Sequence, residues 1–265
     1  LEGALALWRG GPLADLAYEP FAQNEIARLD DLRVGALERL IEARLALANF
    51  QWASGNLKDA ESTLNAALDL DKESPAAHRT LALLYLTTNR APLAEPHFQK
   101  LATDSRGQLA LADYYMGLGR RDDALKLIGE LEKSSDTTTV QAAQLRRASL
   151  AYSSAKKPEA HKILDEMLKK RPRNADARVA KARMLLADGA VADALRHARE
   201  AVKADPTLPS THYTLGLAAM ADRKFDEAEK AFEEVTRLSP RAAGAQLQLS
   251  RLRLARGEAA GALTA

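Results

Sequence analysis

A single alanine that recurs roughly every 34 residues constrains this chain more than any other feature, because a fixed period of this length is the mark of a repeat architecture. It stands in a similar context at Ala60, Ala94, Ala124, Ala160, Ala194, Ala228 and Ala262. Twelve positions before each alanine lies another small residue, namely Ala48, Ala82, Ala112, Ala148, Ala182, Gly216 and Ser250. Antiparallel helices whose axes approach to about 8 Å need small side chains where they cross. The two columns therefore predict a series of packed helix pairs.

The remaining positions of the period agree with helix pairs. Five positions before each alanine, where the turn between two helices is predicted, stand Gly55, Asn89, Gly119, Ala155, Gly189, Arg223 and Gly257. Glycine and asparagine adopt the left-handed conformation that ends a helix. Mostly bulky apolar residues follow the alanine at offsets of four and seven, which is one face of a helix. Pro172, Pro206 and Pro240 are placed to close the later units.

The pattern resembles the tetratricopeptide repeat, whose unit is two helices in about 34 residues. The clearest copy, residues 209–242, carries His212, Leu215, Gly216, Ala219, Phe225, Ala228, Phe232, Val235 and Pro240 at the signature positions. The resemblance covers residues 41–265 and implies an all-α, right-handed superhelical solenoid of antiparallel helix pairs. We expect repeats near residues 41–74, 75–104, 105–138, 141–174, 175–208 and 209–242, and part of a seventh over 243–265. The junction at residues 103–106 is short, and that at 134–139 is predicted to be a long polar loop, with a flexible hinge as the alternative.

Residues 1–40 lie outside the repeat frame and form a second predicted region. Apolar residues at helical spacing run from Ile26 to Leu45 and predict a long helix that continues into the first repeat. Residues 1–48 resemble part of the bacterial transcriptional activator domain, which in antibiotic-regulatory activators follows a winged-helix DNA-binding domain. The other interpretation, which we favour, is a cap that covers the apolar face of the first repeat. The chain begins at Leu1 and ends inside a repeat, so we expect an excised segment.

Residue types that carry catalysis or metal binding are present without a matching pattern. The histidines have no ligand spacing, and we expect His78 and His212, which occupy equivalent repeat positions, to pack between helices. Gly117-Leu118-Gly119 lacks the rest of a nucleotide-binding fingerprint. The acidic pairs Asp122-Asp123 and Asp226-Glu227 are predicted to begin second helices, where they complement the helix dipole. We therefore expect no enzymatic activity, no cofactor and no metal.

Charge is concentrated in residues 146–183, which hold twelve Lys/Arg against four Asp/Glu. Nucleic-acid grooves interleave aromatic platforms with basic residues, and this stretch has only Tyr152, so we favour a solvated face over nucleic-acid contact. No apolar run approaches the roughly 18 residues of a membrane helix. The chain has no cysteine, which identifies no compartment. The bacterial cytoplasm and the periplasm or envelope both stay open, as does the oligomeric state.

The resemblance implies that the fifth, ninth and twelfth residues of each repeat face a concave groove. The predicted groove residues are Asn49, Trp52, Arg79, Leu83, Leu86, Asp113, Met116, Ser149, Tyr152, Arg183, Leu186, Tyr213, Leu217 and Met220. Leu45 and Val179 occupy equivalent positions, and Leu109 and Leu145 do so too but are expected to pack between repeats. The lining is largely apolar, which suits an amphipathic helix or an extended apolar peptide. Only Asn49 matches the lysine and asparagine with which co-chaperone members hold a carboxylate.

Three functional hypotheses follow. The first is a bacterial non-enzymatic scaffold that binds partner proteins in the groove. The second is the effector-sensing or polymerase-contacting region of a bacterial transcriptional activator. The third is the substrate-recruiting arm of a larger enzyme.

Overall fold

The structure is a computed structural model that describes residues 2–6, 8 and 10–255. Within these residues all regular structure is helical. The chain divides into two compact units, residues 1–120 and 121–265, which we describe separately. No described helix is both long enough and apolar enough to cross a membrane. Ala262 and Gly257, which the repeat pattern included, lie outside the described residues.

Unit 1 begins with a short helix and continues as stacked helix pairs. Its α-helices are α1 (Glu2–Leu5), α2 (Gln23–Ala53), α3 (Leu57–Leu70), α4 (Pro75–Thr87), α5 (Glu95–Leu101) and α6 (Ser105–Gly117), with 3-10 turns at Ala14–Leu16 and Ala91–Ala94. The 31-residue α2 confirms the long helix predicted to run into the first repeat. Helix α2 packs against α3, and α4 packs against α5.

Unit 2 repeats the same arrangement. Its helices are α7 (Arg121–Leu131), α8 (Thr137–Ser153), α9 (Lys157–Lys170), α10 (Ala175–Ala187), α11 (Val191–Ala204), α12 (Pro209–Ala221), α13 (Phe225–Leu238) and α14 (Ala243–Ala255). Pairs α8/α9, α10/α11 and α12/α13 pack together, and each pair also contacts the next. The three closing prolines each lie two residues beyond a helix end, as predicted. The antiparallel helix-pair architecture is confirmed.

The two columns of small residues lie at the helix crossings. Each of the six described alanines of the main column is completely buried. In the preceding column, Ala48 to Ala182 are buried to 1% exposure or less, Gly216 is buried, and Ser250 is half-buried. A Cβ atom added to Gly216 would lie 2.6 Å from Phe232 Cε1. Small residues are therefore required there because the facing side chain already fills the space.

The six described turn positions all have positive φ angles, between 58° and 80°. Gly55, Asn89, Gly119 and Gly189 fit the sequence rule for a left-handed helix end. Ala155 (φ 62°) and Arg223 (φ 58°) adopt the same conformation although they carry ordinary side chains. The backbone of the repeat thus dictates the turn, whichever residue occupies it.

The two irregular junctions have local explanations. At the short one, Asp104 caps α6 by accepting a hydrogen bond from the backbone N–H of Gly107 at 2.7 Å. A Cβ on Gly107 would lie 1.8 Å from the Leu101 carbonyl oxygen, so only glycine allows this close approach. The prediction of a loop through residue 139 was wrong, because α8 begins at Thr137. Asp136 accepts hydrogen bonds from the backbone N–H groups of Thr138 and Thr139 and starts the helix early.

Candidate functional site

The predicted groove residues of unit 1 lie on α2, α4 and α6. The most exposed apolar ones are on α4, where 46% of Leu83 and 39% of Leu86 are accessible. Trp52 and Met116 are half-buried. The polar members Asn49, Arg79 and Asp113 are exposed.

In unit 2 the predicted groove residues of α12 are partly engaged in packing. Tyr213, Leu217 and Met220 are half-buried against the core cluster around Phe232, and Leu186 of α10 packs there too. The rings of Tyr213 and Phe232 meet edge to face at 5.7 Å. Tyr213 therefore has a structural role and leaves only part of its surface for a partner.

The α8 members of the predicted groove differ in their environment. Ser149 is exposed. The Tyr152 hydroxyl donates to Asp188 Oδ1 at 2.8 Å, and its ring packs against the core of α8 and α9. Leu145 packs against the same core. Tyr152 thus ties α8 to the end of α10.

Sequence reasoning missed the most exposed large apolar side chains among the described residues of unit 2. Leu247 and Leu254 of α14 are 50% and 58% exposed. They lie one full repeat period after Tyr213 and Met220, and Arg251 lies one period after Leu217. The period could therefore have found them. We use the name inner face for the surface formed by Arg183, Leu186, Tyr213, Leu217, Met220, Leu247, Arg251 and Leu254 on α10, α12 and α14.

A second set of missed residues joins consecutive helix pairs in unit 1. Glu61, directly after the alanine of the first repeat, accepts hydrogen bonds from Tyr85 Oη at 2.8 Å and Arg90 Nη1 at 2.6 Å. Although partial burial acts in the opposite direction, these bonds hold the pKa of Glu61 below its usual value. Burial, together with the bond to Glu61, raises the pKa of Tyr85 to about 12. The triad links α3 to the helix pair that follows.

The same triad occurs again one repeat later, still within unit 1. Glu95 accepts from Tyr115 Oη at 3.0 Å and from Arg120 Nη1 at 2.6 Å. In each copy the guanidinium lies over the tyrosine ring, at 5.0 Å for Arg90 and 4.4 Å for Arg120. In unit 2 a carboxylate in the equivalent position, Glu229, pairs with Arg253 of α14 at 3.3 Å. The residue after the alanine is thus a recurrent inter-pair contact.

The histidines have packing contacts, as expected for His78 and His212. His78 Nε2 lies 2.9 Å from the Lys72 carbonyl oxygen, and His212 Nε2 lies 2.8 Å from that of Pro206, six residues upstream in both cases. Sequence spacing did not predict that two of the histidines meet. His78 Nδ1 and His97 Nδ1 are 2.8 Å apart, because α4 and α5 fold against each other. The described residues contain no cluster of three metal-ligating side chains.

Acidic partners accompany several basic residues of the stretch 146–183. Arg147 forms two hydrogen bonds with Glu132, both of 2.7 Å. Lys181 pairs with Asp165 at 2.8 Å. Asp188 binds Lys157, His161 and Tyr152, and these hydrogen bonds hold its pKa far below its usual value. The basic stretch is therefore partly neutralised within unit 2, which is consistent with a solvated face.

Comparison with known families agrees with this geometry. Residues 145–209 and 213–265 match the model of the tetratricopeptide repeat. Most of unit 2 thus matches the tetratricopeptide repeat. Residues 1–113 match the model of the bacterial transcriptional activator domain, a longer stretch than the segment 1–48 that the sequence pattern indicates. The helix pairs of unit 1 therefore belong to that match as well.

Solved structures show a similar fold. Yeast Tom70 superposes with a TM-score of 0.71 at 18% identity, over 91% of this chain and 53% of that chain. The chain thus spans about half the length of Tom70. A tetratricopeptide repeat protein from Parabacteroides merdae superposes with a TM-score of 0.59 at 16% identity, over 90% of this chain and 99% of that one. At such identities the likeness concerns the fold alone. No curated protein sequence matches the chain.

Proposed function

We propose that this chain is a non-enzymatic scaffold that binds a segment of a partner protein on the inner face of unit 2. The observation that carries the proposal is the exposure of Leu247 and Leu254 in register with the half-buried Tyr213 and Met220. Apolar side chains that line neighbouring parallel helices offer a partner a continuous surface that can be removed from water. The fold, shared with proteins built of the same repeat, supplies such surfaces by stacking helix pairs.

The non-enzymatic part of the proposal rests on how the ionisable side chains are used among the described residues. Catalytic acids and bases are grouped in a cleft with perturbed neighbours. The strongly perturbed acid of unit 2, Asp188, is instead fully used in holding Tyr152, Lys157 and His161. The most perturbed acid therefore serves structure.

An affinity capture tests the proposal with variants chosen by exposure. The chain is immobilised and exposed to a lysate of the organism that encodes it, alongside a Leu247→Glu, Leu254→Glu variant. Leu93→Glu, at a site 49% exposed in unit 1, is the matched control. We expect captured proteins to be lost from the double variant and retained by the control, with thermal unfolding unchanged in both. Equal capture by all three chains would place binding on another surface.

A second candidate function rests on the match of residues 1–113 to the bacterial transcriptional activator domain. In this alternative the chain is the effector-sensing or polymerase-contacting region of an activator, and the inner face is one of its contact surfaces. RNA polymerase subunits among the proteins captured by the native chain, and absent from the Leu247→Glu, Leu254→Glu capture, would support it. Capture of polymerase that depends on unit 1 variants such as Leu83→Glu would assign the contact to unit 1 instead.

A further inference from the structure

The inner face of unit 2 is basic as well as apolar. Helices α10, α12 and α14 together contain five Lys/Arg residues and a single acidic residue, Asp176. Three of the five basic side chains are used inside the unit. Arg178 donates to the Pro172 carbonyl, Lys181 pairs with Asp165, and Arg253 pairs with Glu229. The remaining two, Arg183 and Arg251, occupy the central row of the inner face.

These two arginines are exposed and have no carboxylate partner among the described residues. Arg183 Nε donates only to the Thr214 hydroxyl, at 3.3 Å. Other acidic residues close to these helices are already paired, Asp188 with Lys157 and Asp222 with Lys224, both at 2.7 Å. The apolar surface of Leu217 lies between the arginines in the repeat register. A positive charge thus stands at each side of an apolar strip.

We propose that the partner segment is acidic: an extended stretch with two carboxylates separated by apolar residues, which bind Arg183 and Arg251. This inference rests on the proposed function of the inner face. Helix α10 packs against α12, and α14 carries the equivalent row one repeat further. With about 8–10 Å for each of the two steps, we expect the guanidinium groups to lie about 20 Å apart. An extended chain rises about 3.3 Å per residue, so the two carboxylates are about six residues apart. The side chains between them meet Leu217, Met220 and their neighbours.

A peptide selection with a charge swap tests this assignment. The native chain is used to select from a phage library of random peptides, and a selected peptide is then synthesised for fluorescence anisotropy. The same selection is made with an Arg183→Glu, Arg251→Glu variant. An Arg196→Glu, Arg237→Glu variant changes the charge equally on the second helices α11 and α13, where those arginines are 62% and 67% exposed. Thermal unfolding of each variant shows that the fold is retained.

We expect the native chain and the Arg196→Glu, Arg237→Glu control to enrich peptides that combine Asp/Glu with large apolar residues such as leucine. The Arg183→Glu, Arg251→Glu variant should enrich basic peptides and bind the acidic one roughly tenfold or more weakly, since like charges oppose binding. Added salt should weaken the native interaction. Apolar peptides without carboxylates, lost on Leu247→Glu, Leu254→Glu substitution, would overturn the acidic partner but retain the proposed function. Enrichment of no peptide by the native chain would contradict both.

Discussion

The α-carbon of Gly216 lies so close to the ring of Phe232 that an added Cβ atom would stand 2.6 to 2.8 Å from three ring carbons. Gly216 belongs to α12 and Phe232, which is completely buried, to α13. One glycine therefore allows a phenylalanine to fill the crossing between the two helices. The five preceding repeats have alanine at the equivalent of Gly216, and the repeat that follows has Ser250.

Substitution of Gly216 by alanine should destabilise unit 2. The methyl group would force Phe232 from its position, and overpacking of this kind costs about 1–3 kcal/mol of unfolding free energy. Urea unfolding monitored by circular dichroism measures the loss. Gly35→Ala in α2, where a Cβ meets nothing within 4 Å, is the control and should be neutral or stabilising by up to about 1 kcal/mol. Adding Phe232→Leu to Gly216→Ala should recover part of the loss, and a Gly216→Ala chain as stable as native would contradict the packing described here.

The turn at Arg223 predicts a stabilising substitution. Arg223 has a φ of 58°, and a left-handed conformation costs a residue with a side chain about 1 kcal/mol relative to glycine. We expect Arg223→Gly, and likewise Ala155→Gly, to raise the unfolding free energy by roughly 0.5–1 kcal/mol. Gly189→Ala, at a φ of 78°, is the reverse experiment and should lower it by a similar amount. Equal stability of all these variants would show that the turn conformation relaxes when the residue changes.

Glu61 is expected to contribute more to stability than an ordinary surface acid. Its carboxylate accepts hydrogen bonds from Tyr85 and Arg90 and is about one-quarter exposed. Glu61→Gln would leave Arg90 without its charge partner, which should cost about 1–2 kcal/mol. Glu234→Gln, which removes a pair within a single exposed turn of α13, is the matched control and should cost clearly less, because solvent screens an exposed pair. Hydrogen exchange in α3 and α4 should accelerate only in the first variant, and an equal effect of both would reject the inter-pair role.

Stability should fall in mild acid because of His197. Burial lowers the pKa of His197 to about 4, and Arg196, Arg178 and Lys181 act in the same direction. A histidine in the unfolded chain has a pKa of about 6.5, so the unfolded state binds the proton first as pH falls. The contribution of neutral His197 to the unfolding free energy is complete above a pH of about 6.5. It is lost as the pH falls from about 6.5 to 4, a change of roughly 2–3 kcal/mol.

A His197→Leu variant separates this effect from that of other titrating groups. Urea unfolding of native and variant chains at pH 7.5 and pH 4.5 gives two differences in free energy. From pH 7.5 to pH 4.5 we expect the unfolding free energy of the native chain to fall by roughly 2–3 kcal/mol more than that of the variant. His197 Nδ1 has no hydrogen-bond partner, so leucine removes no bond of that nitrogen. The same pH dependence in both chains would show that His197 titrates normally.

The sequence alone determined the repeat and therefore the fold of each helix pair. A regular period, with small residues at Ala48 and Ala60 and their equivalents, encodes a crossing that only packed helices satisfy. The rule for turn residues predicted the left-handed glycines and Asn89 but not Ala155 and Arg223, because there the paired helices impose the backbone conformation on a residue that does not prefer it. The early start of α8 follows from a local signal, the capping residue Asp136, whose polarity is equally typical of a loop.

Only the tertiary structure decided which side chains remain available for binding. Repeat register assigns Tyr213, Met220, Leu247 and Leu254 to one face, but it cannot show that Tyr213 is held against Phe232 while Leu247 is exposed. Likewise, residues distant in sequence, such as His78 and His97, meet because two helices fold together. Exposure, pairing and local charge depend on what neighbouring helices place around a residue, and a single-sequence pattern does not contain those distances.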